Sequence, residues 1–299
     1  MSMLNASPAV RPLVLFSAAL LAGGGLVGCG THAHKGPRGS FTQTRVMSFD
    51  HAGPLSLVSR HGRIDAATHA TPMPRWAIDE LDDALPSEGL VVVAIVHADK
   101  ADWLANASIE PVEGVEGMTF DANWDDMPAG DNKRYGVEYV VRGESLSDVH
   151  AMTGFGDVRV AGVDGPVLVE TDFGDVDVET VTGPANIYSD FGDLSLIDIE
   201  GPIEARTDFG DVSLRPMSRR AHPMIVYTDF GDIDVDLPLN FAGELMGETD
   251  FGDVRFRGAD LMPGASMTGR NSTRTMTQGD GPRSTLTTDF GDVTVRFSD

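Results

Sequence analysis

The sequence predicts an all-β fold, a single-stranded β-solenoid (β-helix) with coils of about 18 residues, right-handed, carrying a short helical insertion in its N-terminal half. Three observations carry this reading. Thr171-Asp172-Phe173-Gly174-Asp175-Val176 recurs in close variants centred on Phe155, Phe173, Phe191, Phe209, Phe230, Phe251 and Phe290, with successive spacings of 18, 18, 18, 21, 21 and 39 residues. Gly156, Gly165, Gly174, Gly183, Gly192, Gly201 and Gly210 fall nine residues apart, so each unit has two halves, one turning at Phe-Gly-Asp and the other at Gly-Pro. Both halves alternate apolar and polar residues, as in Val176 and Val178 or Val167 and Val169, which gives every strand one dry face and one wet face. An antiparallel meander also fits the alternation, but it separates equivalent residues by two strand spacings. Near-identity of Phe, Gly and Asp in every copy favours direct stacking, and seven rungs at that spacing rise about 34 Å.

Taken from its start, the chain opens with Arg11, an apolar run from Leu13 to Val27, and Leu26-Val27-Gly28-Cys29. This is a secretory signal in outline, too short and glycine-rich for a membrane span. The last four residues resemble the lipobox of bacterial lipoproteins, and Cys29 is the only cysteine, so no disulfide partner competes for it. The expectation is a signal peptide over 1–28, a lipid on Cys29 as the first mature residue, and a flexible tether over 29–43. Gly30 stands where lipoproteins kept at the inner membrane usually carry Asp, and that resemblance implies the outer membrane.

Residues 44–136 read as an irregular, capping part of the repeat stack. Ser59-Arg60-His61-Gly62-Arg63-Ile64 looks like a degenerate copy of the repeat. Pro74 to Leu85, with Ala77, Leu81 and Leu85 on one side, suits a short helix. Leu90 to His97 reads as a buried strand and Asp99 to Ala107 as a helical turn or loop. Strand spacing returns from Glu110 to Trp124 and from Tyr135 to Arg142.

The regular repeats occupy 137–299 and form one body with the preceding part. Gly156, Gly174, Gly192, Gly210, Gly231, Gly252 and Gly291 are corners, where glycine takes backbone angles closed to other residues. If each corner resets the alternation, Phe173 and Val176 both face inward and the seven Phe side chains form a core ladder. The stretches Leu214 to His222 and Arg257 to Gly281 interrupt the period and are expected to protrude as loops, the longer one as a contact loop or a plain solvated one.

Stacking places the Asp residues in two rows. Carboxylates about 5 Å apart repel by roughly 1 kcal/mol in bulk-water dielectric, so something must offset them. One answer is that each Asp accepts N–H bonds at its own corner. The other is Ca²⁺ between rungs, with Asp172, Asp175, Asp190, Asp193, Asp208, Asp211, Asp229 and Asp232 as ladder ligands. The Gly-Gly-x-Gly-x-Asp motif of calcium-binding nonapeptide solenoids is missing from the chain.

Composition excludes some functions. With 46 acidic against 22 basic residues the formal charge is -24, which repels nucleic-acid phosphates and anionic membrane surfaces. Asp-Phe-Gly also occurs in protein kinases, but no phosphate loop or catalytic-loop motif accompanies it here. Catalysis needs one constellation of differently tuned groups, and a feature copied on every rung reads as structural, so no catalytic residue is assigned. From Val137 onward, the Gly-Asp-Val corners after strands such as Val137 to Val141 resemble the bacterial putative-adhesin β-strand-repeat family, whose function is unknown. That resemblance implies a non-catalytic adhesion, scaffold or protein-interaction surface in the cell envelope, meeting an envelope protein or glycan. Two other readings remain open, a carbohydrate-active β-helix lyase or hydrolase and a calcium-stiffened spacer.

Overall fold

One repeat shows how the fold is made. In Val167–Phe173, Val167, Val169 and Thr171 are buried while Leu168, Glu170 and Asp172 face outward. The chain turns at Gly174-Asp175 and continues as Val176–Val181, which buries Val176, Val178 and Val181 in a second sheet. It turns again at Gly183-Pro184 and re-enters the first sheet as Ala185–Phe191, which pairs in parallel with Val167–Phe173, with Phe191 opposite Phe173. The computed structural model describes residues 33–35, 41–81, 85–109, 111–114, 117–124, 135–215 and 222–298. Cys29, the signal segment and Pro216 to Ala221 lie outside them.

Among the described residues the fold is all-β, with two long and mainly parallel sheets of twelve strands each. The expected single-stranded coil is corrected on this point: each 18-residue unit contributes two strands, one to each sheet, because it has two corners. We call the sheet whose strands end in Phe the ladder sheet, and its partner the opposite sheet. The core between them is one cluster running from Met47 to Phe297, built mostly of Val, Ile, Leu and Ala.

The rungs do not stack in chain order. Following the ladder sheet, the Phe155, Phe173, Phe191, Phe209 and Phe230 strands are followed by Arg283–Phe290 and only then by Gly243–Phe251. The opposite sheet agrees, with Val293–Ser298 between Ile233–Pro238 and Val254–Arg257. The same exchange occurs at the other end. Leu55–His61 and Ile64–Thr68 form a rung between the Phe155 rung and an outer one made of Gly117–Asp121 and Tyr135–Gly143. Ser59 to Ile64 is thus a true copy of the repeat, with His61 opposite Phe155 and Ile64 opposite Val158.

The stretch expected to protrude between Arg257 and Gly281 instead folds onto the stack. Ser266–Arg270 and Thr273–Gln278 make a hairpin whose second strand pairs antiparallel with Gly243 to Glu248, so it extends the ladder sheet beyond its last parallel strand. At the other end, Leu90–Ala98 lies antiparallel to Tyr135–Gly143, followed by Phe41–Phe49 and Ala33–Lys35. A strand therefore begins at Phe41, inside the stretch expected as tether. The helix expected after Pro74 is one turn, Arg75–Ile78, and its buried Ala77 packs with Val93, Ile95 and Val140 on the outer face of the opposite sheet.

Two polar ties hold that covering segment. Arg142, 3% exposed, donates to the Asp65 carboxylate at 2.5 Å and to the Pro72 carbonyl at 3.0 Å. Glu138 accepts from Arg63 Nε at 2.7 Å and pairs with His97 Nε2 at 2.9 Å, while the Arg63 guanidinium lies 4.4 Å from the centre of the Trp76 ring. Burial pushes the Glu138 carboxyl up, but the bonds and charges of His97 and Arg63 outweigh it and hold the group below its ordinary range. A lowered folded pKa means that this stabilisation is complete above the ordinary Glu range and is lost as pH falls through the lower, folded value. Glu138→Gln should thus lower stability by about 2 kcal/mol at pH 7, with the deficit shrinking below about pH 4, as urea unfolding at both pH values would show.

Candidate functional site

The most distinctive surface starts from three residues. Thr or Ser two places before each Phe is buried, and on five of the seven rungs its hydroxyl donates to the corner-glycine carbonyl of the neighbouring rung: Thr153 to Gly62 at 3.0 Å, Thr207 to Gly192 at 3.1 Å, Thr228 to Gly210 at 3.0 Å, Thr288 to Gly231 at 2.9 Å and Thr249 to Gly291 at 2.9 Å, while the Thr171 and Ser189 hydroxyls have no such partner. The inward slot beside the corner is therefore taken. The following Asp faces outward, and the Phe stands at the corner itself, on the outer margin of the ladder sheet. The corner glycine makes this possible. At Gly192 the backbone φ is +155°, and a Cβ would lie 2.0 Å from the Gly174 carbonyl oxygen on the rung below.

The expected core ladder of Phe is accordingly corrected to a surface ladder. Exposures are 42% at Phe173 and Phe191, 45% at Phe209, Phe230 and Phe290, 49% at Phe155 and 66% at Phe251. The physical reason is space. Facing sheets lie about 10 Å apart, and one Phe per rung cannot share that gap with Val158, Val176 and their equivalents. The rings stack face to face instead, with centroids 4.7–4.9 Å apart and planes within 1–5° of parallel, in the order Phe155, Phe173, Phe191, Phe209, Phe230, Phe290, Phe251. Six steps carry the ladder about 29 Å. His61 continues it beyond Phe155 at 5.0 Å, and Tyr135 meets His61 edge-on at 6.3 Å. Burial, and then the neighbouring Arg60 charge, hold the His61 pKa below its ordinary value. Because each ring covers its neighbour's face, solvent meets ring edges everywhere except at Phe251, the outermost ring.

Carboxylates flank the ladder on both sides. Asp172, Asp190, Asp208, Asp229, Asp289 and Asp250 form one row on the outer face of the ladder sheet. Asp157, Asp175, Asp193, Asp211, Asp232, Asp292 and Asp253 form the other, across the corner. In this second row each Oδ1 accepts the backbone N–H of the equivalent Asp one rung on, at 3.2 Å from Asp175 N to Asp157 and 2.7–3.0 Å thereafter. The expected cap within each corner is thereby corrected to a bond between corners. Such charge-assisted bonds contribute about 1.5–3 kcal/mol apiece, enough to offset repulsion between neighbours.

Among the described residues no group of three or more His, Cys, Asp or Glu gathers as ligands for a metal ion. Asp172, Asp190, Asp208 and Asp229 lie in the first row and Asp175, Asp193, Asp211 and Asp232 in the second, on opposite sides of the rings. The acid field is nonetheless felt locally. The hydrogen bond to Asp229, followed by burial and the charges of Asp229 and Asp289, pushes the Tyr227 hydroxyl up to about 12. At the far end Arg255 bridges Asp253 at 2.6 Å and Asp292 at shorter range, and its bond, with the Asp253 N–H, holds the Asp292 carboxyl below its ordinary range.

One arrangement has the order of a hydrolytic triad: Thr42 Oγ1 lies 3.4 Å from His97 Nδ1, whose Nε2 meets Glu138. Thr42 is 1% exposed, so its hydroxyl offers no open nucleophile. The sequence held a signal for the exposed ladder that alternation alone passes over. Interior positions vary among Val, Leu, Ile, Ala and Met from rung to rung, whereas the corner is Phe every time. A packed interior tolerates such exchange, while a stack of identical rings does not.

No protein family matches the chain, and no curated protein matches it. Three solved structures are similar to it over 86% of its length. One is a "putative adhesin" from Bacteroides fragilis, 12% identical, TM-score 0.37, with 97% of that chain covered. Another is a "putative cell adhesion protein" from Clostridium sporogenes, 10% identical, TM-score 0.31, fully covered. The third is a "putative adhesin" from Parabacteroides merdae, 10% identical, TM-score 0.30, with 96% covered.

Proposed function

We propose that this protein is a non-catalytic interaction protein, an adhesin or scaffold, of the bacterial cell envelope. In this reading a two-sheet β-solenoid is held to the outer membrane by a lipid on Cys29, and the Phe ladder with its Asp rows is the surface that meets a partner. The observation that carries it is the exposure of seven Phe side chains, each 42–66% accessible, in one unbroken line. Contiguous exposed apolar surface marks interaction sites in soluble domains, because leaving it in water forgoes the stabilisation that burial would bring. Repetition argues the same way: seven equal corners suit a long, uniform contact better than a single reaction centre.

The test places a photo-crosslinking amino acid at Tyr188, beside the ladder, or at Ser195, on the outer face of the opposite sheet, in the full chain within intact bacteria. Capture of one defined partner from position 188 and none from 195 is expected. Equal capture from both positions, or from 195 alone, refutes the ladder as the contact surface. Incorporation of a labelled fatty acid that Cys29→Ser abolishes is the expected sign of the anchor, and labelling that persists in the variant would overturn it.

A further inference from the structure

Resting on the ladder as the contact surface, we infer that its partner is a basic, amphipathic segment of polypeptide, one apolar stripe flanked by Lys or Arg, lying along the ladder axis. Exposed aromatic edges form a continuous apolar ridge about 29 Å long. Carboxylates stand on both sides of it at every rung from Phe173 onward, which amounts to two charges per 4.8 Å, about one per 2.4 Å. Duplex DNA carries about one per 1.7 Å, so the strip has the charge spacing of a polyanion and binds a polycation with release of counterions.

The charge pattern also marks where such a segment stops. In the His61 rung, Arg60 and Arg63 occupy the two places that Asp172 and Asp175 hold in theirs, so both rows change sign together. At the opposite end Arg255 already occupies Asp253 and Asp292. Between these limits no Lys or Arg stands in either row, and Arg206, on the outer face of the ladder sheet, pairs with Asp208 of the first row at 3.5 Å.

Ring geometry narrows the partner further. A sugar stacks on an aromatic face, and faces are covered throughout the ladder except at Phe251, so a glycan has no platform along it. A helix suits the rung spacing better than an extended strand. Its turn rises about 5.4 Å against 4.7–4.9 Å per ring, whereas residues on one face of a strand recur at about 6.7 Å. The full ladder accommodates a helix of about 19 residues.

The experiment uses the full chain without its signal segment and measures binding of two labelled 19-residue peptides by anisotropy over a salt series. One peptide combines Lys and Leu in helical order with a single Leu stripe; the other is oligolysine of equal charge. We expect tighter binding of the Lys-Leu peptide, with affinity falling as salt rises. Asp172→Asn with Asp190→Asn should weaken both peptides about tenfold, while the control pair Asp198→Asn with Glu200→Gln, at the Gly-Pro corner away from the ladder, leaves both within twofold. Phe191→Ser with Phe209→Ser should weaken only the Lys-Leu peptide, about tenfold. If that pair fails to fold, Phe251→Ser, which has one ring neighbour, should weaken the same peptide about threefold. Equal losses from ladder and control acids, or indifference to every Phe change, overturn the inference. Capture in cells from position 188 without binding of either peptide overturns it too, and leaves the contact surface standing.

Discussion

Deleting residues 282–299 should unfold the C-terminal half of the stack rather than trim one rung from its end. The strands Arg283–Phe290 and Val293–Ser298 sit between the Phe230 and Phe251 rungs, bonded on both sides. Their loss removes the buried Leu286, Val293, Val295 and Phe297, on the order of 8 kcal/mol of apolar burial, comparable with the whole stability of an ordinary domain. It also leaves a gap of two strand spacings, about 9.6 Å, that the Phe251 rung cannot close without re-registering. Thermal unfolding followed by circular dichroism should lose its single sharp transition. A synthetic peptide of residues 282–299 added to the shortened chain should restore it; recovery of the native transition without the peptide would show that the two outer rungs simply close up.

The second large effect is expected at a corner. Gly192→Ala puts a Cβ 2.0 Å from the Gly174 carbonyl oxygen and 2.6 Å from its carbon, both backbone atoms that cannot rotate away, at a φ of +155° that L-residues rarely adopt. Strain and overpacking together should cost about 4 kcal/mol, a fall in Tm of about 10 °C for a chain of this size. Asp190→Asn, two residues away and facing outward, is the matched control and should shift Tm by less than about 2 °C. A Gly192→Ala protein that melts with the native one would refute the close approach of neighbouring corners.

What the sequence made legible were the local and periodic features. The 18-residue unit, its two corners, the strand faces, the degenerate His61 copy and the turn of helix after Pro74 each follow from spacing and residue type, which act within a few residues. Features set by the depth of the sandwich and by non-neighbouring rungs were not. Alternation puts Phe173 on the same side as Thr171, and only the distance between two packed sheets sends the ring outside. Asp175 has the residue type of a corner cap, but its Oδ1 accepts the N–H of Asp193 on the following rung, at 3.0 Å. The exchange of the last two rungs leaves no periodic mark, because Phe251 and Phe290 carry the same motif and either could stack first. The 39-residue spacing between them, filled by the hairpin, is the one clue in the chain, and it reads equally as a protruding loop.

The ends of the stack also decide whether the molecule can seed its own growth. Parallel rungs that repeat at one spacing are a template, and an uncovered parallel edge would accept the matching edge of another copy and lengthen into a fibre. Among the described residues two of the four sheet margins, Ala33–Lys35 and Val112–Gly114, run against the stack, and the third, Ser266–Arg270, is set off from it by the reversed strand Thr273–Gln278. The fourth, Val254–Arg257, is parallel but only four residues long, and two of these are Arg255 and Arg257. A second copy arriving end-on therefore meets reversed polarity at two margins, an antiparallel hairpin at the third and fixed positive charge at the fourth, so the repeat that builds the rod is also stopped from continuing it.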